Sequence, residues 1–154
     1  MRGGEADVLI LEARGLDRLK RHGEEGYPHE VCGLLIGSYE EGRSVRNVLE
    51  IHPARNLNRE RAADRYDLDP LDYIRIERQA QARRLEVVGV YHSHPDHPSR
   101  PSETDRQRAE EIWQASESWS YVILEVAAGR VASWRSWVLR DGIFHEEPSR
   151  IAGS

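Results

Sequence analysis

The sequence predicts a single α/β domain in which a mixed β-sheet carries about three helices. Apolar residues make up 38% of the 154 residues, and they fall into short runs separated by helical segments and by turns rich in Gly and Pro. Strand-like runs that alternate with helical periodicity are typical of α/β domains. One core suffices for a chain of this length, so we expect a single domain over residues 1–154.

The first third of the chain predicts a strand, a helix and a hairpin. Residues 8–11 form a short apolar run, and helical spacing follows until breaker residues begin at Gly23. Residues 31–39 are almost wholly apolar until the end of the run, and a turn with two Glu and one Gly leads into a second run at 44–51. Two such runs joined by a short turn predict a hairpin within the sheet.

A second helix is predicted after a polar, irregular segment at 52–65. Asp69 can cap the exposed amides of this helix, and Pro70 suits the first helical position because it has no N–H to satisfy. Asp72 favours the positive end of the helix dipole. We expect this helix to run to about Arg84.

The next apolar run, at 85–93, has the length and composition of a strand that is buried on both faces. Histidines lie at its far end, and a Pro-rich loop at 95–101 leads to a third helix. We expect that helix to include Ile112 and Trp113. Three closing antiparallel strands are predicted at 119–127, 131–139 and 143–145.

Charge and cysteine content exclude several classes of protein. The 22 basic and 27 acidic residues are interspersed and give a net charge of −5, which disfavours electrostatic binding of nucleic acid. The apolar runs fall far short of the roughly 18 residues of a membrane helix. Cys32 is the single cysteine, so no internal disulfide can form, and the N-terminus lacks a secretory signal. We expect a cytoplasmic protein without a membrane segment.

The densest group of chemistry-bearing residues follows the buried strand. His92 and His94 are two apart, so a strand presents both imidazoles to one point. Asp105 lies in the first turn of the next helix and can return a carboxylate to the same point. Two imidazoles and one carboxylate leave a fourth zinc position open for water, which is the pattern of a catalytic site. Glu30 is the candidate base if its strand lies beside the strand that carries the histidines.

Glu30, His92, His94, Ser102 and Asp105 together match a known pattern: an upstream Glu, then His-x-His, seven residues, Ser, two residues and Asp. The chain resembles the JAMM (MPN-plus) zinc metalloproteases, specifically their compact stand-alone prokaryotic members, over about residues 8–140. This resemblance implies a cytidine-deaminase-like sandwich. It further implies one zinc ion with a bound water, held by the two histidines and the aspartate, with Glu30 as general acid/base and Ser102 as oxyanion stabiliser.

The resemblance also implies a reaction and a partner. The reaction is hydrolysis of an amide or isopeptide bond. Because the chain is close to the minimal core length, it looks more like members that act beside small ubiquitin-like (β-grasp) sulfur carriers, as in carrier-dependent cysteine synthesis, and remove an amino acid or peptide from a C-terminal Gly-Gly. A non-catalytic scaffold of the same fold is the alternative. The oligomeric state stays open.

Several residues have a simpler interpretation beside the functional one. The spacing of Ser102 and Asp105 is also that of a helix cap, and both interpretations can hold. Cys32 is expected to be a small buried side chain, because no matched partners make it a nucleophile. The other histidines considered are expected at the surface or in loops, and the tryptophans in packing. These residues are His29, His52, His97, Trp113, Trp119, Trp134 and Trp137.

Two other metal-site patterns fit less well. His92, His94, Asp96 and His97 match the signature of metallo-β-lactamase-like hydrolases, but only His145 follows, so the second metal of that family cannot be bound. Non-haem iron oxygenases also use two histidines and one carboxylate. Their usual order has the acid between the histidines, whereas in this sequence the acid follows both histidines.

Overall fold

The described part of the chain contains eight strands in one mixed sheet, three α-helices and a 3₁₀ turn at Glu41–Arg43. The structure is a computed structural model that describes residues 7–62, 66–111 and 118–153. In chain order the elements are β1 (Val8–Glu12), α1 (Ala13–Gly26), β2 (Cys32–Glu40), β3 (Val45–Ala54), α2 (Pro70–Ala82), β4 (Glu86–Pro95), α3 (Glu103–Glu111), β5 (Ser120–Ala127), β6 (Arg130–Arg140), β7 (Ile143–Glu147) and β8 (Ser149–Ala152). The mixed α/β prediction is confirmed.

The strand order in the sheet is β7-β6-β5-β4-β2-β3-β1-β8. Strand β2 runs antiparallel to both β3 and β4, which confirms the predicted hairpin. Strands β5, β6 and β7 pair antiparallel, as predicted for the end of the chain. The pairs β4–β5, β1–β3 and β1–β8 are parallel, so the sheet is mixed.

Helices cover both faces of the sheet. Because successive side chains of a strand point to opposite faces, Leu34 and Leu35 of β2 enter two different cores. The core beneath α1 includes Leu9, Leu19, Leu35, Val122 and Leu124. The core beneath α2 and α3 includes Leu34, Ile76, Ala80, Val90 and Ala109. A sheet covered on both faces explains why its central strands are apolar in sequence.

Strand β4 is the buried strand that the sequence predicts, and it extends beyond its apolar run to include both histidines and Pro95. Cys32 of β2 pairs with His92 of β4, so the residues just before β2 lie at the histidine end of β4. The Val31 amide donates to the Ser93 hydroxyl at 2.9 Å, and the Ser93 amide donates to the Val31 carbonyl at 3.0 Å. The strand that follows Glu30 therefore lies beside the histidine strand.

Helix α2 begins as its sequence predicts. The Asp69 carboxylate accepts a hydrogen bond from the Leu71 amide at 2.9 Å, and Pro70 occupies the first turn. The helix ends at Ala82, two residues before the predicted end.

The first helix and the C-terminal strand differ from the sequence prediction. Gly23 lies inside α1 instead of breaking it, because the helix approaches the sheet closely there. A Cβ at Gly23 would meet Leu124 Cδ1 at 3.1 Å and Val126 Cγ2 at 3.3 Å. Strand β8 was not predicted; it pairs with β1 at the edge of the sheet. Ile112 and Trp113 lie outside the described residues.

A buried ion pair joins β3 to the C-terminal strands. Arg46 is fully buried, and its Nη1 lies 3.2 Å from Glu147 Oε1. The Ser120 and Ser136 hydroxyls donate to Glu147 Oε2 at 2.5 Å and 2.6 Å. Asp7 approaches the same guanidinium at 3.2 Å. Arg46 thus connects β3 to the segment before β1 and to β7.

Within the described ranges, no helix has the length and apolar character needed to cross a lipid bilayer.

Candidate metal centre

Two imidazoles and one carboxylate converge at the end of β4. His92 Nε2 lies 3.0 Å from His94 Nε2 and 3.1 Å from Asp105 Oδ1. His94 Nε2 lies 3.1 Å from Asp105 Oδ2. Both histidines are buried, and among the described residues this is the one group of at least three His, Cys, Asp or Glu side chains compact enough to hold a metal ion. The structure therefore brings together the three residues that the sequence predicts as ligands.

The spacing of these three atoms fits zinc. Tetrahedral ligands at 2.0–2.1 Å from zinc lie about 3.3 Å from one another. The separations of 3.0–3.1 Å come within a few tenths of an ångström of that value. Two nitrogens and one carboxylate oxygen are also a donor set that zinc accepts while leaving a fourth position open. The residues present fit the ion.

His94 is oriented by a backbone carbonyl. Its Nδ1 lies 2.7 Å from the Pro98 carbonyl oxygen, so Nδ1 carries a proton and donates it to that oxygen. In the neutral imidazole the lone pair is then on Nε2, the atom that faces Asp105. Burial lowers the pKa of His94, but the hydrogen bond and charge of Asp105 outweigh it and raise the pKa above its ordinary value.

Asp105 is held by reciprocal bonds with Ser102 at the start of α3. The Ser102 amide donates to Asp105 Oδ2 at 2.9 Å, and the Asp105 amide donates to the Ser102 hydroxyl at 3.0 Å. This is the predicted helix cap. Burial raises the pKa of Asp105, but the charges and hydrogen bonds of His92 and His94 outweigh it and hold the pKa well below its usual range. The carboxylate is therefore ionised and ready to bind a cation.

Glu30 lies in the wall of a cleft that opens at the ligand group. The cleft has a volume of about 540 Å³, and it is lined by Glu30, Tyr66, His94, Ser102 and Asp105, among others. Glu30 is only 8% exposed, and its negative charge contributes to the raised pKa of His94. A buried carboxylate in the same cleft as the ligand group can move a proton to or from a bound substrate.

The backbone of Glu30 is fixed by the segment that follows β3. The Glu30 amide donates to the Ala62 carbonyl, and the Asn56 side-chain amide donates to the Glu30 carbonyl at 3.1 Å. The Asn56 side-chain oxygen in turn accepts from the amides of Asn58 and Asp67 at 2.9 Å and 2.8 Å. Asn56 thus joins both ends of this segment to the candidate base.

Two side chains, Tyr66 and Arg108, stack in series on His92, and sequence reasoning missed them. The ring of Tyr66 lies on the His92 imidazole, with centroids 4.6 Å apart and planes 24° apart. The Arg108 guanidinium lies 5.5 Å from the centroid of the Tyr66 ring and pairs with Asp67 at 2.5 Å. Tyr66 is 26 residues upstream of His92, so no local spacing links the two.

The remaining candidate residues do not join the ligand group. The Cys32 thiol is buried near the Ala54 and Arg55 carbonyls, and burial raises its pKa well above the ordinary value, which is opposite to the requirement for a nucleophile. His97 is exposed at the cleft. The Asp96 carboxylate accepts hydrogen bonds from the Tyr27 hydroxyl and the Ala128 amide, so it does not complete a metallo-β-lactamase-like site.

Other side chains considered from the sequence take structural positions. His52 is half-buried in β3 and pairs with Glu50 at 2.8 Å. His29 is exposed. Trp119 is in the core, and the Trp137 indole N–H donates to the Ser99 carbonyl at 3.1 Å. Trp113 lies outside the described residues.

The profile of prokaryotic homologues of the JAB domain matches residues 12–140. The chain belongs to this family. Strands β2 and β4, which carry the candidate site, lie within the matched range, as does the start of α3. The resemblance drawn from the five motif residues is confirmed.

Two curated relatives of this JAB-domain chain have the names of enzymes. It is 39% identical over 106 residues to the desampylase of Haloferax volcanii, a match that covers 66% of this chain and 72% of the relative. It is 28% identical over 151 residues to the CysO-cysteine peptidase of Mycobacterium tuberculosis, with 98% and 96% covered. Family and relatives indicate a hydrolase of the JAMM type.

A solved structure has the same fold as this JAB-domain chain. A protein from Desulfitobacterium hafniense superposes with a TM-score of 0.80 and covers 95% of this chain and 94% of its own. Its sequence identity is 23%, so this likeness concerns the fold alone.

Proposed function

We propose that this protein is a zinc-dependent JAMM-type peptidase that hydrolyses the amide or isopeptide bond after the C-terminal Gly-Gly of a small β-grasp carrier protein. The observation that carries the proposal is the convergence of His92, His94 and Asp105 within 4.8 Å of one another, with Glu30 in the same cleft. The names of the two peptidase relatives support a conjugate of a small carrier as the substrate.

His92 and His94 would hold the zinc ion through Nε2, and Asp105 through its carboxylate. When bound, zinc acidifies water and polarises the scissile carbonyl. The Pro98 carbonyl would keep His94 in the tautomer that binds metal, and the Tyr66 ring would restrict the orientation of His92.

Glu30 and Ser102 would act on the substrate. Glu30 takes a proton from the attacking water and delivers it to the departing amine, so one carboxylate serves as base and then as acid. The Ser102 hydroxyl accepts its hydrogen bond from the Asp105 amide, so its own proton stays available for the developing oxyanion.

The cleft can accommodate an extended substrate segment. Its walls enclose about 540 Å³ at the ligand group. A Gly-Gly tail has no side chains beyond hydrogen atoms, so it can approach both Glu30 and the ligands. Pairing of such a tail with backbone groups of the cleft would give affinity without side-chain pockets.

Zinc content tests the ligand assignment. Purified protein should contain close to one zinc per chain by elemental analysis, and the His92→Ala/Asp105→Ala variant should contain almost none. A matched control is His97→Ala, because His97 is exposed at the same cleft but outside the ligand group; this variant should keep its zinc. Equal zinc in all three proteins would remove the catalytic proposal and favour a non-catalytic scaffold.

Cleavage of defined conjugates tests the reaction. A β-grasp protein extended beyond its C-terminal Gly-Gly should be cut directly after the second glycine, as read by mass spectrometry. Glu30→Gln should keep zinc and lose turnover by several orders of magnitude, because the proton carrier is removed. Unchanged turnover in Glu30→Gln would exclude Glu30 from this role. Inertness of the zinc-loaded parent towards every conjugate would favour the scaffold.

A further inference from the structure

The loop of residues 98–102 is bound to the candidate metal ligands at both of its ends. The Pro98 carbonyl accepts the His94 Nδ1 proton, and the Ser102 amide donates to the Asp105 carboxylate. We call this segment the ligand loop. Its two ends cannot move without disturbing His94 or Asp105.

The ligand loop is also fixed in its interior. Ser99 is 2% exposed, and its hydroxyl lies 2.8 Å from the Ser133 hydroxyl of β6. The Ser99 carbonyl accepts the Trp137 indole N–H at 3.1 Å. The backbone next to Arg100 is therefore anchored to the ligands and to the sheet.

Arg100 is the charged residue at the centre of this anchored loop. Its side chain is exposed, and within the described ranges it makes no ion pair. Two neighbouring arginines differ in this respect, because Arg106 pairs with Glu103 and Arg108 pairs with Asp67. A cation on a rigid loop without an internal partner is available to a ligand.

Arg100 lies at the junction of two depressions. It lines the cleft of about 540 Å³ that contains Glu30, and it also lines an adjacent depression of about 300 Å³ beside Trp137 and Phe144. Its Cα is at most about 7.6 Å from that of Ser102, because consecutive Cα atoms are 3.80 Å apart. The long side chain of Arg100 thus starts close to the place where the scissile bond would lie.

A leaving group that carries a carboxylate needs such a cation. In an amino acid the α-carboxylate carbon is only about 2.5 Å from the nitrogen, so it enters the cleft together with the departing amine. Glu30, a carboxylate outside the ligand group, is already in that cleft and would repel it. The planar guanidinium of an arginine binds a carboxylate through two parallel hydrogen bonds.

We propose that Arg100 binds the α-carboxylate of a single amino acid released from the carrier, an inference that rests on the proposed function. The protein then acts at a free C-terminus, and it prefers a carrier extended by one residue to a carrier joined to the middle of another chain.

Three conjugates that differ in whether and where the last residue carries a carboxylate test this proposal. The first is a carrier ending in Gly-Gly-Ala with a free carboxylate, the second is its C-terminal amide, and the third ends in Gly-Gly-Glu amide with only a side-chain carboxylate. The parent should cleave the first with kcat/KM about tenfold above the second and third, which corresponds to about 1.4 kcal/mol. In Arg100→Gln the three values should become equal.

Matched variants separate recognition from folding. Arg130→Gln removes an exposed arginine that lies outside the cleft, so it should keep the tenfold preference. Arg100→Lys keeps the charge without the planar fork and should keep part of the preference. Arg100→Gln, Arg100→Lys and Arg130→Gln should all keep the zinc content of the parent. In a Glu30→Gln background, equilibrium binding should favour the acid over the amide, and adding Arg100→Gln should abolish that difference.

Other results would overturn the proposal. A preference that persists in Arg100→Gln would exclude Arg100 as the receptor. If the Glu amide is cleaved as fast as the free acid while the Ala amide is cleaved more slowly, the site recognises a carboxylate in general instead of a free C-terminus. If the zinc-loaded parent cleaves none of the conjugates, the proposed function itself fails. If it cleaves all three equally, only the role of Arg100 fails.

Discussion

The Ser102 hydroxyl has a structural role and, in the proposed mechanism, a chemical one. Its oxygen caps α3 by accepting the Asp105 amide, while its proton stays free for the substrate. We expect Ser102→Ala to lower kcat by about 10²–10³-fold through loss of an oxyanion donor. Loss of the cap should lower the free energy of unfolding by about 1 kcal/mol. Conjugate cleavage and urea titration measure the two effects separately.

Zinc content and a conservative variant serve as controls for Ser102. Zinc should stay bound in Ser102→Ala, because the backbone amide of residue 102 still donates to Asp105. Ser102→Thr keeps a hydroxyl and should restore both the cap and most of kcat. A variant that loses stability but keeps kcat would leave Ser102 as a helix cap alone.

At the scale of single residues, the sequence predicted that the three candidate ligands converge, but it missed the side chains that support them. His92, His94 and Asp105 lie close in sequence, so the period of a strand and the start of a helix suffice to bring them together. The stack on His92 depends on Tyr66, whose position is determined by the path of a loop. No local pattern in the sequence encodes that path.

Asp72 joins the segment after β3 to helix α2. Its carboxylate accepts the Arg55 amide at 2.8 Å and pairs with Arg75 at 3.3 Å. Burial raises the pKa of Asp72, but the Arg55 amide and the Arg75 guanidinium outweigh it and leave the pKa below its ordinary value. Since the folded-state pKa is lowered, this carboxylate stabilises the fold above its unfolded-state pKa, and the contribution is lost as the pH falls through the folded-state pKa.

Asp72→Asn should therefore lower the unfolding free energy at pH 7, and the difference from the parent should shrink at pH 3. Urea titration at pH 7 and at pH 3 measures the free energy of unfolding of the variant and of the parent. Asp17→Asn, at an exposed position of α1, is the control and should show little difference at either pH. A difference that grows towards acidic pH would contradict the lowered pKa.

The elements with strong local signals were predicted, and those that depend on distant partners were not. The Asp69 cap and the buried run of β4 are local, and both are confirmed. Gly23 was interpreted as a breaker, yet it lies in α1 so close to Leu124 and Val126 that a Cβ there would make unusually tight contacts. Ser149–Ala152 is short and partly exposed, and its pairing with β1 spans most of the chain.

At the scale of the whole molecule, the Arg46–Glu147 pair connects residues 101 positions apart. Arg46→Met should lower the free energy of unfolding by about 3–5 kcal/mol, because it leaves a buried carboxylate without its cation. Glu147→Gln should cost less in the Arg46→Met background than in the parent. A double-mutant cycle by urea denaturation measures the coupling, and additive effects would show that the two residues do not act as a pair.

The β1–β8 pairing has a practical consequence for recombinant expression. The family match ends at residue 140, yet β7 and β8 follow it. A protein trimmed to that boundary would lose Glu147 and leave the backbone edge of β1 without its neighbour. Unpaired strand edges recruit other chains, so the trimmed protein should form aggregates. Cloning boundaries for this protein therefore belong after Ala152, where the last strand ends.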